Sequence, residues 1–599
     1  MSDTLILNEP VTPARNAAAA QSIAPWAFGG AMLLSAALVF SLQPMFAKMV
    51  LPRVGGGAAV WTVALVFFQG ALLAGYSYAH LITSRLKLAH QVMAHAAVLL
   101  LAAVCLPIAV APGFDAPPEA GQGFWLLALF TASVGAPFAA VSATAPLLQA
   151  WFARTGRADA GDPYYLYGAS NAGSLAALLA FPLVIEPTLG AHAQSLAWTG
   201  GFATLGLAIM ACAALVWRAG GSTARIEPAA VGRADLSVWR ARGKWALLGL
   251  LPSALLVAAT THITTDVASA PLLWVIPLAL YLSAFILAFN KRTWLPARVT
   301  TIALPALAAI TLVIGWTAGD WRVLSLAVLA TLWLGSYVCC RALYDARPDA
   351  DRLTDFYLWM SLGGVVGGAL VALGAPVLFN GVLEWPITVA ASLLALPGGK
   401  KLSRPLLIIF AACVTITIAA AVVAALDILN GRIVAAGLFA GLAAIVVGRE
   451  SRTLMTLACV ALIAMGAMIQ NVGVLFADRS FYGLVRVTDD GDFASLPARD
   501  HAAWGAGADN ARAYTPTGYY GPLTLIGGCF DALNRAGDLD RVAVLGLGAG
   551  AMACHARAGQ NWTFYEIDPL VVRGAGSPAL HLPLGLHAQR AGDCRRRAA

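Results

Sequence analysis

Apolar residues run through this chain in long blocks rather than in the alternating or one-faced patterns of soluble strands and helices. Crossing about 30 Å of hydrocarbon at about 1.5 Å per residue takes roughly 17 to 25 apolar residues in a helix. Blocks of that order recur at 26–47, 60–82, 90–111, 124–150, 164–186, 193–216, 245–262, 271–289, 299–316, 322–340, 355–378, 384–398, 405–426, 431–447 and 453–472. The pattern predicts an α-helical polytopic membrane protein with 14–15 transmembrane helices over 26–476, the twelfth block being the shortest. Residues 1–25 are polar and mixed in charge, and the block that follows has no small-residue cleavage signal. It reads as a permanent anchor behind a cytoplasmic N-terminal tail.

Composition excludes a soluble globule: of 599 residues 59% are hydrophobic and 11% charged, where soluble proteins carry about 25% charged residues. The net charge of +8 has a source other than nucleic acid. Twenty-one Lys and Arg fall in the loops after the even-numbered blocks, whereas the odd-numbered loops hold only Lys48 and Arg53. Basic residues collect in cytoplasmic loops, which places the N-terminus in the cytoplasm and makes the bilayer the main partner. With fifteen spans this parity puts the C-terminal segment on the far side of the membrane. The nine cysteines are scattered, six of them in spans, with Cys339 and Cys340 adjacent and no C-x-x-C pair, so no metal site and no disulfide framework is expected.

The membrane part carries an internal echo. Tyr165-Leu166-Tyr167, Ser170, Gly173, Pro182 and Glu186-Pro187 in the fifth block match Tyr357-Leu358-Trp359, Ser361, Gly364, Pro376 and Glu384-Trp385-Pro386 in and after the eleventh. A six-helix period preserves orientation, so the echo implies a 6+6 repeat of two parallel halves, as in transporters of the major-facilitator type. Ionisable groups in or beside the spans are expensive there: Lys48, His80, His95, Glu186, His262, Asp266 and Glu384. Lys48 and Asp266, at the outer ends of corresponding blocks one and seven, are the candidates for a polar site in the membrane, against snorkelling of Lys48 to the interface.

After the last block the composition turns polar, and a soluble domain is expected over 477–573, with a strand at Phe481 to Val487. Arg541 to Gly550, RVAVLGLGAG, reads as a buried strand ending in Gly546-x-Gly548-x-Gly550, then a helix-compatible stretch and a second strand, Trp562 to Tyr565, ending at Glu566-Ile567-Asp568-Pro569. Glycines at such a turn let backbone N–H groups approach a ligand, and an acid about twenty residues on can accept ribose hydroxyls. This predicts a partial C-terminal Rossmann-like α/β domain with Gly546, Gly548, Gly550, Glu566 and Asp568 at a nucleoside-type cofactor.

GLGAGAM followed by YEIDP resembles the cofactor motif of spermidine synthases, the polyamine aminopropyltransferases, and Tyr519-Tyr520-Gly521-Pro522-Leu523 resembles their amine-side segment. QPMFAKMVLP (43–52), VFFQGALLAGYSYAH (66–80), YYLYGASNAGS (164–174) and THITTDVASAPLLWVIPLALY (261–281) are similar to bacterial membrane-fused spermidine synthase-like proteins, over most of 26–573. The resemblance implies a bacterial inner-membrane location, aminopropyl transfer from decarboxylated S-adenosylmethionine to a polyamine, and Tyr520 on the amine side. The family's catalytic aspartate would follow on a later strand. Here Ala549 replaces an aspartate of the glycine loop, and 574–599 is a basic tail without strand or helix periodicity, as after a frameshift or truncation. No catalytic residue is therefore assigned, enzymatic activity stays open, and binding of decarboxylated S-adenosylmethionine is expected to be poor. The alternative is a membrane transporter of the major-facilitator type for a polyamine or other small solute, with a vestigial or regulatory nucleoside-binding domain. The loop from Arg218 to Lys244, with six basic residues, is predicted to face the cytoplasm. Ser237→Cys should then escape a membrane-impermeant thiol reagent applied to intact cells, and its labelling would reverse the assignment.

Overall fold

A computed structural model describes residues 12–54, 58–118, 121–155, 157, 166–218, 236–266, 275–316, 321–348, 352–399, 401–426, 431–472 and 474–489, and then 493–495, 504–505, 520–537, 539–548, 550–557 and 559–575. The expected basic tail lies beyond the described residues apart from its first two positions.

The apolar blocks are helices: α1 (Thr12–Val54), α2 (Ala58–Arg85), α3 (Leu88–Ala103), α4 (Gln122–Phe152), α5 (Leu166–Ala180, continued by Phe181–Ile185 and Glu186–Thr188), α6 (Ala191–Arg218), α7 (Leu236–Asp266), α8 (Val275–Ala288), α9 (Ala297–Trp316), α10 (Trp321–Asp345), α11 (Leu353–Ala369, continued by Leu370–Gly374 and Ala375–Leu378), α12 (Glu384–Ser392), α13 (Arg404–Ala425), α14 (Gly431–Val447) and α15 (Arg452–Gln470). The chain is a multi-pass membrane protein. Eleven of these helices are long and apolar enough to cross a bilayer, fewer than the fourteen or fifteen expected. The difference lies in α3, α8 and α14, of 16, 14 and 17 residues, and in the short α12. α1 starts ahead of the expected Trp26 because Ala17 to Ala20, strong helix formers, extend it.

The packing repeats. α5 lies along α1 as α11 lies along α7; α6 meets α1 as α12 meets α7; across the halves α2 packs on α11 and α8 on α5. α5 and α11 also share a defect, a π-helical turn at Phe181–Ile185 in one and at Leu370–Gly374 in the other. Pro182 lies in the first and Pro376 just past the second, where a missing N–H and the ring's bulk loosen the helical ladder. α13, α14 and α15 pack on one another, with α15 against α9 and α12 of the second half.

Beyond α15 the chain leaves the bundle in β1 (Val474–Arg479) and β2 (Leu484–Asp489), an antiparallel hairpin that β3 (Phe493–Ser495) and β4 (Trp504–Gly505) extend. The strand expected at 481–487 therefore starts later. Ser480 Oγ accepts from the backbone N–H groups of Tyr482 and Gly483 at 3.0 and 3.3 Å, which holds 480–483 as the turn. Then follow α16 (Leu525–Ala536), β5 (Arg541–Leu545), β6 (Asn561–Tyr565) and α17 (Pro569–Ala575). β5 and β6 pair in parallel, from Arg541↔Asn561 to Leu545↔Tyr565. Among the described residues they form a small two-stranded sheet, and Leu545 stays 87% exposed.

Glycine decides how close the paired helices come. A Cβ on Gly363 would stand 1.9 Å from the carbonyl oxygen of Ala246, and on Gly173 2.3 Å from that of Leu33, whereas Gly206 has nothing within 4 Å. Gly173→Ala and Gly363→Ala should each destabilise the detergent-solubilised protein by about 1–3 kcal/mol, and Gly206→Ala should leave it unchanged or slightly more stable. Thermal unfolding checks this, and equal melting temperatures for the three variants would contradict it.

Candidate functional site

A cavity of about 170 Å³ lies between the two halves, lined from α1, α2, α4, α5, α7, α8, α10 and α11. Its wall uses Ser170 and Asn171 near the start of α5 and Ser361 near the start of α11, with Tyr76 near the end of α2, Phe285 near the end of α8 and Leu343 near the end of α10. Those are the helix ends that join the basic loops, so the cavity occupies the half of the bundle next to them. The other half is closed by an apolar cluster that includes Ala47, Trp61, Leu65, Leu178, Val371 and Trp385, with Leu255 to Ala259 of α7.

Among the described residues the lining holds no Asp, Glu, Lys, Arg or His. Its polar groups are hydroxyls and amides. Several satisfy the helices themselves: Ser35 Oγ donates to Val141 O at 3.0 Å, and Ser253 Oγ lies 2.8 Å from Gly364 O and 3.0 Å from Gln69 Oε1. Ser361 Oγ is buried without a partner among the described residues, a cost in a low-dielectric interior that a ligand's hydrogen bond would relieve. Ser170 and Ser361 occupy matching places in the internal echo, so the repeat brings them to one cavity from opposite halves. Sequence reading took the two serines as signs of the repeat and missed the cavity.

The ionisable residues sit elsewhere. Lys48 is ion-paired with Glu186. Asp266 ends α7, and its side chain lies outside the described residues. Glu384, 2% exposed, takes a two-pronged contact from Arg479 of β1, 2.8 Å from Nη2 to Oε1 and 3.3 Å from Nη1 to Oε2. His80 Nδ1 lies 2.8 Å from Thr354 Oγ1, His95 stacks on Tyr78, and His262 stacks on Trp385. None of these lines the cavity.

In the C-terminal segment Gly546, Gly548 and Gly550 have φ of 90°, 53° and 78°, left-handed values that explain the glycine triplet after β5. The helix expected after it is a single 3₁₀ segment, Ala551–His555. Glu566 Oε2 accepts from the N–H of Leu547 at 2.8 Å and Oε1 from that of Asp568 at 3.0 Å, so the carboxylate braces the glycine turn. Asp568, buried, accepts from Leu570 N–H and from Ser480 Oγ, capping α17 and joining it to the hairpin. Tyr520 accepts from His555 Nε2 through its carbonyl at 2.9 Å. Each Glu566 oxygen thus accepts one backbone N–H and keeps a second lone pair.

No family model and no curated protein matches the chain. Solved structures similar to it are membrane transporters. The partially occluded inward-open xylose transporter XylE from E. coli has a TM-score of 0.38 at 14% identity, covering 63% of this chain and 97% of that one. A POT family transporter in complex with a thioalcohol-conjugated peptide has 0.37 at 12%, covering 62% and 93%. A bacterial homolog of the human lysosomal transporter Spinster, inward-facing and unoccupied, has 0.36 at 12%, covering 76% and 98%. The expected main function, a membrane-bound spermidine synthase-like enzyme, is corrected to the membrane part alone: the cavity between the repeats lies in the membrane bundle, away from the glycine turn.

Because Glu566 braces the turn, Glu566→Ala should speed amide exchange at Leu547 and Asp568 about tenfold or more, the loss of about 1.4 kcal/mol for each hydrogen bond to a charged group. Hydrogen-exchange mass spectrometry of the purified full chain reads this directly. Unchanged exchange would mean that the carboxylate is free of the turn.

Proposed function

We propose that this chain is an alternating-access membrane transporter of the major-facilitator type for a small, uncharged, polar solute. The observation that carries the reading is the cavity between the two halves, with Ser361 Oγ buried and unpartnered in its wall. Binding at the interface of repeats, near the middle of the membrane, lets the halves rock about a fixed site. Hydroxyl and amide groups recognise hydroxyls and amides, whereas a dicationic polyamine would shed its hydration with no carboxylate in the lining to offset the cost. A polyamine is thus the disfavoured cargo.

The basic loops, read by the positive-inside rule, support a cavity that faces the cytoplasm of a bacterial inner membrane, with the N-terminus cytoplasmic. The C-terminal domain then lies on the opposite face as a regulatory or vestigial appendage.

Proteoliposomes carrying the full chain, tested with radiolabelled glycerol, xylose and urea beside putrescine, should pass one of the neutral solutes and exclude putrescine. Ser361→Val should slow that flux several-fold to tenfold, as the loss of one hydrogen bond of about 1 kcal/mol implies. Saturable putrescine flux with no neutral flux would overturn the reading.

A further inference from the structure

The repeat places Glu186 and Glu384 at matching positions, after α5's and α11's π-helical turns, yet the two acids take their cations from different places. Glu186 is paired within its own half, with Lys48 of α1, and that pair is partly exposed, 21% and 45%. Glu384 is paired with Arg479, which belongs to β1 outside the bundle, and this pair is buried, 2% and 9%. Arg479 Nη1 also donates to the carbonyl of Gly381 at 3.3 Å. The extramembrane hairpin thus supplies to Glu384 the kind of cation that Lys48 supplies to Glu186 from within the first half.

The turn beyond Arg479 reaches over the sealed end of the passage. Residues 480–483 wall a space of about 160 Å³ together with Thr62 of α2, Gly123 of α4, Thr261 of α7 and Leu373 of α11. These helices come from both halves, and their ends here are those opposite the cavity. Phe481 of the turn packs against the apolar core of the first half, so the turn meets the bundle through that side chain and through the ion pair. On its other side the same turn is held by the C-terminal segment: Ser480 Oγ donates to Asp568 Oδ2 at 2.5 Å, and Arg573 lies 3.6 Å from Asp478. Successive residues, Arg479 and Ser480, therefore bond to the bundle and to the domain.

We propose that the β1–β2 hairpin is a movable part of the seal, with Arg479 and Glu384 as its latch, so that the C-terminal domain gates the passage. A buried pair suits this role because removing either partner strands the other charge and drives the contact apart. The proposal rests on the transporter reading, but its test needs no solute.

In sealed vesicles of each orientation, Ser361→Cys in the full chain is exposed to an impermeant maleimide and the labelled peptide is quantified by mass spectrometry. Ser361→Cys should label from the basic-loop side and at least tenfold more slowly from the hairpin side. Arg479→Gln should raise hairpin-side labelling at least tenfold, and the swap Arg479→Glu with Glu384→Arg should return it towards the starting rate. Should Arg479→Gln fail to fold, Arg479→Cys with Glu384→Cys, joined by a short bismaleimide before the measurement, replaces it. Joining should then abolish the hairpin-side labelling that the unjoined pair allows. Hairpin-side labelling unmoved by the folded Arg479→Gln, or by joining, overturns the latch. Labelling that responds while every solute flux is absent would keep the latch and remove the transporter reading.

Discussion

Lipid gives one helix no hydrophobic reason to touch another, since acyl chains are as apolar as leucine, and the association has to come from close contact and from polar groups. In this molecule the contact is backbone against backbone. Gly363 and Gly367 of α11 sit on the carbonyls of Ala246 and Leu250 of α7, and Gly173 of α5 sits on that of Leu33 of α1. Two tight helix pairs result, one in each half, and the other helices arrange around them. On α11 the glycines that meet α7 alternate with Ser361 and Gly364, which line the cavity. The side chain missing on one face permits the close pair, and the small polar groups on the other face leave a space between pairs. The same choice of residues thus sets packing and site together.

The helical blocks were legible because their length is dictated by the bilayer, and the repeat was legible because α5 and α11 keep the same glycine, serine and proline marks. Partners were not. The repeat related Lys48 to Asp266 by position, but it says nothing of what each side chain meets, and Lys48 meets Glu186. Arg479 reaches Glu384 across 95 residues of chain, a distance over which no local pattern operates. The cavity escaped notice for a similar reason. Its polar residues come singly from several helices, and each serine in isolation reads as one that bonds its own helix, as Ser142 Oγ does to Phe138 O at 2.7 Å.

The glycine turn after β5 teaches a different lesson. Its residues were read as a turn at a strand end where backbone can approach a ligand, and all three glycines adopt left-handed backbone there. What a motif cannot convey is whether the rest of a site surrounds it. Glu566 and Asp568 accept from Leu547, Leu570 and Ser480, so the acids singled out for a ribose also hold the strand end, the helix start and the hairpin. A motif inherited with its local geometry can serve the fold alone.

The contacts set the hairpin and the domain at the bundle end opposite the helix ends that join the basic loops. Arg479 meets the start of α12, and the hairpin turn meets the start of α2 and the end of α7, all at the bundle end remote from the loops after α2, α4 and α6. Basic loops and domain occupy opposite ends. A cofactor-dependent enzyme in that position would be cut off from the compartment that the basic loops face, whereas a gate needs that placement, since a hairpin can seal a passage only at the end where the cavity is not. The apolar cluster around Trp61, Leu65 and Trp385 closes the same end from within. Hairpin and cluster therefore lie in series, and a movement that opens the one is useful to a transporter only if the π-helical turns of α5 and α11, which lie at this level, let the other part as well.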